Sequence, residues 1–208
     1  MLMKQPLSAL ISLRINYSSS FPFRGSAGEK GVSISLIIVY IIAAISSLIL
    51  TLQSAYAEVY KTNETFLSEV FAGKIPPAKH VWLRDDLKKQ VNEILKHPYK
   101  KLRVKYWMSA DKSAWILEEV GKEQPITTGV VIDKQGNISK VEILAFHESR
   151  GWEVKYPFFL KQFIQAGLKA DRQLDRHIDG ITGATLSVHA VTRLVRMALL
   201  LHQHETRK

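Results

Sequence analysis

An uncharged apolar stretch near the N-terminus most strongly limits what this chain can fold into. Between Gly31 and Ala57 there is no charged residue, and the centre of the stretch is dense in isoleucine, leucine, valine and alanine. Its length is close to the roughly 20 residues that cross a bilayer as a helix. Apolar residues on every side of such a helix disfavour a buried helix of a soluble domain. The stretch therefore predicts a signal or transmembrane helix, which divides the chain into residues 1–57 and 58–208.

The flanks of this stretch predict its orientation. Ser54-Ala55-Tyr56-Ala57 resembles a signal-peptidase site, but the apolar part is longer than the 7–15 residues usual in signal peptides. The stretch is consistent with a cleaved signal peptide and equally with an uncleaved membrane anchor. Basic residues precede the stretch, so residues 58–208 are expected outside the cytoplasm, on the periplasmic side of the inner membrane or free in the periplasm. Residues 1–30 are either a disordered n-region or an extension upstream of the true start of translation.

Composition excludes several kinds of site. The 208 residues include no cysteine, so disulfides, thiolate metal sites, iron–sulfur ligation and c-type haem attachment are excluded. The formal net charge of +10 favours acidic partners or anionic lipid. Because the basic residues are scattered or lie next to acids, nucleic-acid binding is not expected. The sequence shows no metal-ligand pattern and no catalytic triad, so no metal site and no catalytic residue is predicted.

Hydrophobic periodicity predicts an α+β fold for residues 58–208. Four segments with strand periodicity follow one another with short connections, and helical segments precede and follow them. This order predicts an antiparallel meander flanked by helices. The predicted strands are 102–108, 114–120, 126–133 and 138–147, and the predicted helices are 62–73, 83–97, 157–166 and 187–202.

The stretch Asp179–Ser187 lies immediately before the last predicted helix. Its two glycines and its hydroxyl side chains predict a tight turn that leads into a helix N-terminus. Two interpretations follow from the residues. The hydroxyl of Thr185 or Ser187 caps the helix, or the free N–H groups of the helix start receive a phosphate.

This stretch also resembles a known motif. Thr182-Gly183-Ala184-Thr185, preceded by Asp179 and followed by Ser187, is similar to the [S/T]-G-A-T flavinylation motif of the FMN-binding domain family. That family includes the C subunit of the sodium-translocating NADH:quinone reductase and the G subunit of the Rnf electron-transport complex. Its fold is an antiparallel sheet flanked by helices, and its last motif threonine carries FMN through a phosphoester. The resemblance implies covalent FMN at Thr185.

The resemblance also implies roles for the neighbouring residues. A separate Mg²⁺-dependent transferase attaches the flavin from FAD, so no flavinylating site is required in this chain. Asp179, Thr182, Gly183 and Ala184 are then expected to shape the turn and to be recognised by the transferase. Asp179 is equally consistent with an Asx cap of the turn. Ser187 is expected to donate to the phosphate or to cap the helix.

A second segment resembles the same family. Its members often have Glu-Thr-Pro-Gly beside the isoalloxazine ring, and this chain has Glu148-Ser149-Arg150-Gly151. Glu148 and Gly151 are therefore expected near the cofactor. Arg150 is either a cation that raises the flavin potential or a solvated surface residue. Trp152 is the aromatic residue predicted to stack on the ring, with a place in the core as the alternative.

The resulting prediction is an exported flavoprotein that carries electrons between redox partners, such as cytochromes or a quinone-linked membrane complex. Whether it is a carrier or part of an enzyme stays open. One alternative is a non-redox binding domain in which the Thr-rich turn is only a helix cap. The other is a non-covalent FMN oxidoreductase.

Overall fold

A computed structural model describes residues 34–51 and 58–207 of the protein. The predictions for residues 1–30 and for cleavage after Ala57 lie outside these ranges. The first element is helix α1, Ile34–Thr51. Within the described ranges, no helix is sufficiently long and apolar to cross a membrane. Residues 58–207 belong to a second compact unit.

This domain is built on a six-stranded antiparallel sheet in the order β1-β6-β5-β4-β3-β2. The four central strands form the predicted meander, and each of their ends lies within two residues of its predicted position. The α+β prediction is confirmed. The strands are β1 Glu58–Val59, β2 Lys79–Trp82, β3 Arg103–Met108, β4 Lys112–Val120, β5 Pro125–Asp133 and β6 Ile138–Phe146.

Sequence periodicity missed the edge strands β1 and β2. Strand β1 has only two residues, too few for an alternating pattern. Strand β2 buries one side chain, that of Val81. A single buried side chain gives no period-2 signal, so neither edge strand could be found in this way.

Helices cover both faces of the sheet. The N-cap of helix α2 (Asn63–Val70) is Thr62, whose hydroxyl accepts from the N–H of Thr65. Its residues Phe66 and Leu67 form a small core with Ala114, Val131 and Leu144 on one face. Helices α3 (Asp85–Leu95) and α5 (Thr185–Thr206) pack with Trp115 and Leu117 in the main core on the other face. Strand β5 is therefore buried on both faces.

Helix α3 is shorter than predicted because both of its predicted ends have other roles. The N–H of Leu83 donates to the carbonyl of Leu102, which continues the strand pairing past β2. At the other end Lys96 adopts a left-handed conformation, with φ 68°, and stops the helix.

The helix predicted from Pro157 to Ala166 is also interrupted. Helix α4 covers only Pro157–Leu160 and runs into a 3₁₀ turn at Lys161–Phe163. The N–H of Gln165 donates to the carbonyl of Ile138, and the N–H of Ile138 donates to the carbonyl of Ala166. Pairing with the start of β6 draws this backbone out of a helical conformation.

Gly129 shows how closely α2 packs on the sheet. A Cβ atom added there would lie 2.6 Å from Cζ of the fully buried Phe66 ring. We expect Gly129→Ala to destabilise the domain by about 1–3 kcal/mol, because the ring cannot move without disturbing the small core. Chemical denaturation measures this change. Adding Phe66→Leu should restore part of the loss, and strictly additive effects of the two substitutions would contradict the proposed contact.

Candidate functional site

Thr185 is the first residue of helix α5, directly after a tight turn. The N–H of Ala184 donates to the carbonyl of Ile181 at 2.9 Å, and Gly183 lies between them with φ 84°. Glycine adopts such a positive φ without steric cost, as the third residue of a type II turn requires. The turn therefore sets where α5 begins, and Thr185 is exposed at that point.

Neither the Thr185 hydroxyl nor the Ser187 hydroxyl caps helix α5. The N-cap residue is Ala184, and no side chain forms the cap hydrogen bond. The interpretation of Thr185 or Ser187 as a helix cap is therefore wrong. The physical reason is position: α5 begins two residues earlier than predicted, so Ser187 lies inside its first turn. Within the described ranges, the Thr185 hydroxyl has no hydrogen-bond partner.

The first turn of α5 can accept an anion. The earliest helical bond runs from the N–H of Val188 to the carbonyl of Ala184. The N–H groups of Thr185, Leu186 and Ser187 precede it, and such groups have no partner within a helix. They lie at the positive end of the dipole of a 22-residue helix. A phosphate on the Thr185 hydroxyl would therefore meet backbone donors and favourable electrostatics.

The loop after β6 packs directly against this turn. Gly151 has φ 85°, and a Cβ atom added there would collide with Oγ of the buried Ser187 and lie 3.5 Å from Cβ of Ala184. Only a glycine fits this contact. The two segments singled out in the sequence are thus brought together at the start of α5.

Glu148, in the same loop, holds the β4–β5 turn. Its Oε1 accepts from the backbone N–H groups of Lys122, of Glu123 at 2.7 Å and of Gln124 at 3.0 Å. Burial raises the pKa of the Glu148 carboxyl, but these hydrogen bonds, helped by the Lys122 charge, hold it below its ordinary value. Glu148 therefore connects the β4–β5 turn to the loop that packs against α5.

Two open clefts flank Thr185. The first, the Arg150 cleft, has a volume of about 530 Å³ and lies between the β4–β5 turn and the motif. The second, the Arg196 cleft, has a volume of about 640 Å³ and lies between α5 and the loop before the motif. The Arg150 cleft is lined by Lys122, Glu148–Arg150 and Gly183–Ser187. The Arg196 cleft is lined by Gln173, Leu174, Arg176–Ile178, Gly180–Thr182, Thr185, Val188, His189, Thr192 and Arg196.

The remaining predicted residues differ in their surroundings. Thr182 and Gly183 are exposed beside Thr185. Asp179 is also exposed, and its carboxylate lies 3.7 Å from Nε2 of His177. In the described part of the chain this carboxylate accepts no bond from the turn, so the structure does not show the Asx cap. The exposure of these residues leaves the turn open to a second protein.

Trp152 lies apart from both clefts. Its ring is 42% exposed and meets Tyr156 edge-on, with 5.5 Å between ring centroids. The Nζ atom of Lys155 is 5.5 Å from the same ring. Trp152 therefore belongs to a surface aromatic group next to Gly151, and its stacking on a flavin stays a prediction.

Residues 121–200 match the family model described as the FMN-binding domain. This part of the chain is therefore similar to the FMN-binding domain family. No curated protein matches the chain. The matched residues begin at the turn that Glu148 holds and end within α5, so they include both motifs and the residues that line both clefts. The family expected from the motif is confirmed, and FMN is supported as the cofactor.

The structure adds residues that the sequence reasoning did not select. Lys122 lines the Arg150 cleft, and Thr192 and Arg196 line the other. The sequence did indicate Thr192 and Arg196, because they follow Thr185 at the spacing i, i+7, i+11 and therefore share one face of a helix with it. Lys122 is brought to the site by the sheet, and no local pattern indicates it.

Gly151→Ala should loosen the site, and Gly136→Ala is its matched control. Both glycines have φ near 85°, so alanine costs roughly 1–2 kcal/mol of backbone strain at either position. Gly136 has no atom within 4 Å of an added Cβ, whereas Gly151 faces Ser187. We expect Gly151→Ala to lose more unfolding free energy and more bound FMN, measured by denaturation and absorbance. Equal losses in both variants would contradict the role of the contact.

The stability that Glu148 adds by accepting hydrogen bonds from the β4–β5 turn should depend on pH. Because folding lowers its pKa below 4.5, the ionised carboxylate adds stability that is present above that value and is lost on acidification through the folded pKa. We expect Glu148→Gln to cost about 1–3 kcal/mol at pH 7 and progressively less below pH 4.5. Urea denaturation across this range measures the difference. The control is Glu123→Gln in the same turn, whose exposed carboxylate pairs with Lys122. A cost at Glu148 that does not change with pH would contradict the role of these hydrogen bonds.

Proposed function

We propose that this protein is an exported electron-transfer flavoprotein whose FMN is esterified to the hydroxyl of Thr185. The observation that carries the proposal is the position of Thr185, exposed and without a cap bond at the start of α5, inside the matched FMN-binding domain. A nearby transferase can reach this hydroxyl, since Thr182 and Gly183 beside it are also exposed. The chain itself needs no catalytic group for the attachment.

The residues around Thr185 fit a phosphoester. Backbone N–H groups of the first turn of α5 point to the same end of the helix, and Lys122 and Arg150 line the adjoining cleft. In the described part of the chain, the Arg150 guanidinium has no carboxylate partner. These groups would neutralise the phosphate and fix its orientation. Glu148 and Gly151 contribute indirectly, because they hold the surrounding segments in place.

Bound FMN supplies the redox chemistry, since it accepts a hydride or two electrons and passes electrons on singly. The protein fixes its position and limits its exposure. A covalent link suits a domain outside the cytoplasm, where a dissociated cofactor would be lost. The apolar stretch at residues 31–57 supports export to the periplasmic side of the membrane. We propose that its partners are a flavin transferase and redox proteins such as cytochromes or a quinone-linked membrane complex.

The proposal predicts a covalent flavin at one residue. The full chain is co-expressed with a flavin transferase, exported and analysed by intact mass and visible absorbance. We expect a yellow protein heavier by one FMN residue, and a colourless protein without this increment for Thr185→Ala. Ser68→Ala is the control, because it removes an exposed hydroxyl outside the motif and should remain yellow.

The result also separates the alternatives. Flavin that is released on denaturation, with unchanged protein mass, would mean non-covalent FMN. An unmodified, colourless protein despite an active transferase would overturn the proposed function.

A further inference from the structure

A group of exposed aromatic side chains lies on the surface beside Gly151. The rings of Trp152, Tyr156 and Phe158 follow one another, with 5.5 Å between the first two ring centroids and 6.2 Å between the last two. These residues are 42%, 40% and 59% exposed. The Nζ atom of Lys155 lies 5.5 Å from the ring of Trp152, 5.9 Å from that of Tyr156 and 4.2 Å from that of Tyr60. The four aromatic residues and Lys155 form one continuous surface, which we call the aromatic patch.

The backbone beneath the aromatic patch is fixed. Val154 and Phe159 lie between and beside the exposed rings along the chain, and both are fully buried in the main core. The N–H of Tyr156 donates to the carbonyl of Glu153, and the N–H of Phe159 donates to the carbonyl of Tyr156. The segment therefore holds its exposed rings outward instead of folding them into the core.

The side chains of the aromatic patch suit the surface of a membrane. Tryptophan and tyrosine combine an apolar ring with a polar tip, and both are enriched where a bilayer meets water. Within residues 58–207, Nε1 of Trp152 and the hydroxyl of Tyr156 have no hydrogen-bond partner. Lysine suits the same layer, because its stem can lie along an apolar surface while its ammonium group reaches the headgroups.

The aromatic patch adjoins the start of the domain. Tyr60 belongs to it, and Nζ of Lys155 lies 3.9 Å from the carboxylate of Glu58. Glu58 is the first residue of β1 and follows Ala57, the last residue of the uncharged apolar stretch. If that stretch stays in the membrane as an uncleaved anchor, the patch starts within a few residues of the bilayer.

The opposite edge of the sheet offers a comparison. Trp82 on β2 is 49% exposed, and the guanidinium groups of Arg84 and Arg103 lie 5.6 Å and 5.7 Å from its ring centroid. Strands β1 and β2 are five strand spacings apart in the sheet, which is roughly 24 Å. Aromatic and cationic side chains thus lie at both edges, but only the β1 edge directly follows the apolar stretch along the chain.

The size of the aromatic patch favours lipid over a folded protein. Because a whole aromatic side chain buries about 150–250 Å², three partly exposed rings offer on the order of 300 Å². Stable protein interfaces bury about 800 Å² on each partner. A domain that is tethered to the bilayer needs less area, because the tether keeps the two surfaces at a high effective concentration.

We propose that the aromatic patch docks on the bilayer surface, with its exposed rings at the boundary between headgroups and acyl chains. This inference rests on the proposed export and on an uncleaved anchor at residues 31–57. The contact is mainly apolar, because Glu58 balances the charge of Lys155. Gly151 packs on Ser187 and directly precedes Trp152, so docking gives the start of α5 a fixed orientation at the membrane.

The first test uses Trp152 as the reporter. The full chain, made without a flavin transferase, is reconstituted into phosphatidylcholine liposomes whose acyl chains are brominated near the headgroup. Bromine quenches an indole that it contacts, so we expect wild type to lose part of its tryptophan fluorescence relative to unbrominated liposomes. Trp152→Phe should remove most of this quenching. Trp82→Phe, the matched control at the opposite edge of the sheet, should retain it.

The second test removes the contact while the anchor stays. Phe158→Glu puts a carboxylate at the boundary, where a charge is costly, and Leu102→Glu is its control. Leu102 is 62% exposed and directly precedes β3, near the other edge of the sheet. We expect Phe158→Glu to reduce the docked population about tenfold or more, seen as loss of most of the quenching of Trp152, and Leu102→Glu to change it little. Flotation with the liposomes shows that each variant keeps its anchor.

Three outcomes would overturn the proposal. The first is brominated lipid that quenches Trp152→Phe as strongly as Trp82→Phe, and the second is unchanged quenching in Phe158→Glu. The third is Trp152 emission that responds only when another protein is added, which would assign the aromatic patch to a protein partner.

The proposed attachment of FMN fails or succeeds separately. A wild-type chain that does not float with the liposomes overturns the anchor on which the docking rests. None of these measurements requires FMN, so a chain that acquires no flavin mass at Thr185 can still show the docking.

Discussion

The site depends on the contact between Gly151 and Ser187. Because Gly151 has no side chain, the loop after β6 can lie directly on the first turn of α5. Glu148, three residues earlier, holds the β4–β5 turn by its backbone N–H groups. Three segments that are distant in the sequence therefore converge around Thr185. A larger residue at position 151 would separate them and open the Arg150 cleft.

Helix α5 serves both the core and the site. Its buried side chains, including Val191, Leu194 and Ala198, fill the main core against the sheet. Its first residue is exposed, and its N-cap is an alanine without a side-chain acceptor. A capping side chain would stabilise such a helix by about 1 kcal/mol. Because no side chain caps α5, the N–H groups of its first turn remain available to an anion.

The features that were predicted correctly from the sequence are those with strong local patterns. Strands β3–β6 were found because their alternation is long, and the family was found because the turn Thr182–Thr185 is distinctive. The missed edge strand β2 has one buried residue and depends on pairing with β3. The helix cap was misread because a hydroxyl residue suits both a cap and a first turn, and a shift of two residues decides between them. The partners of Glu148 depend on tertiary contacts that no local pattern contains.

Thr185 lies where two open clefts meet. The Arg150 cleft joins Lys122, Arg150 and the carboxylate of Glu148 to the helix start, whereas the Arg196 cleft combines apolar, polar and cationic side chains along α5. Thr185 lines both clefts, so a group attached there could enter either one. If FMN is joined to Thr185 as proposed, the attachment lowers the entropy cost of binding relative to the capture of a free flavin, and an open cleft is sufficient to hold the ring.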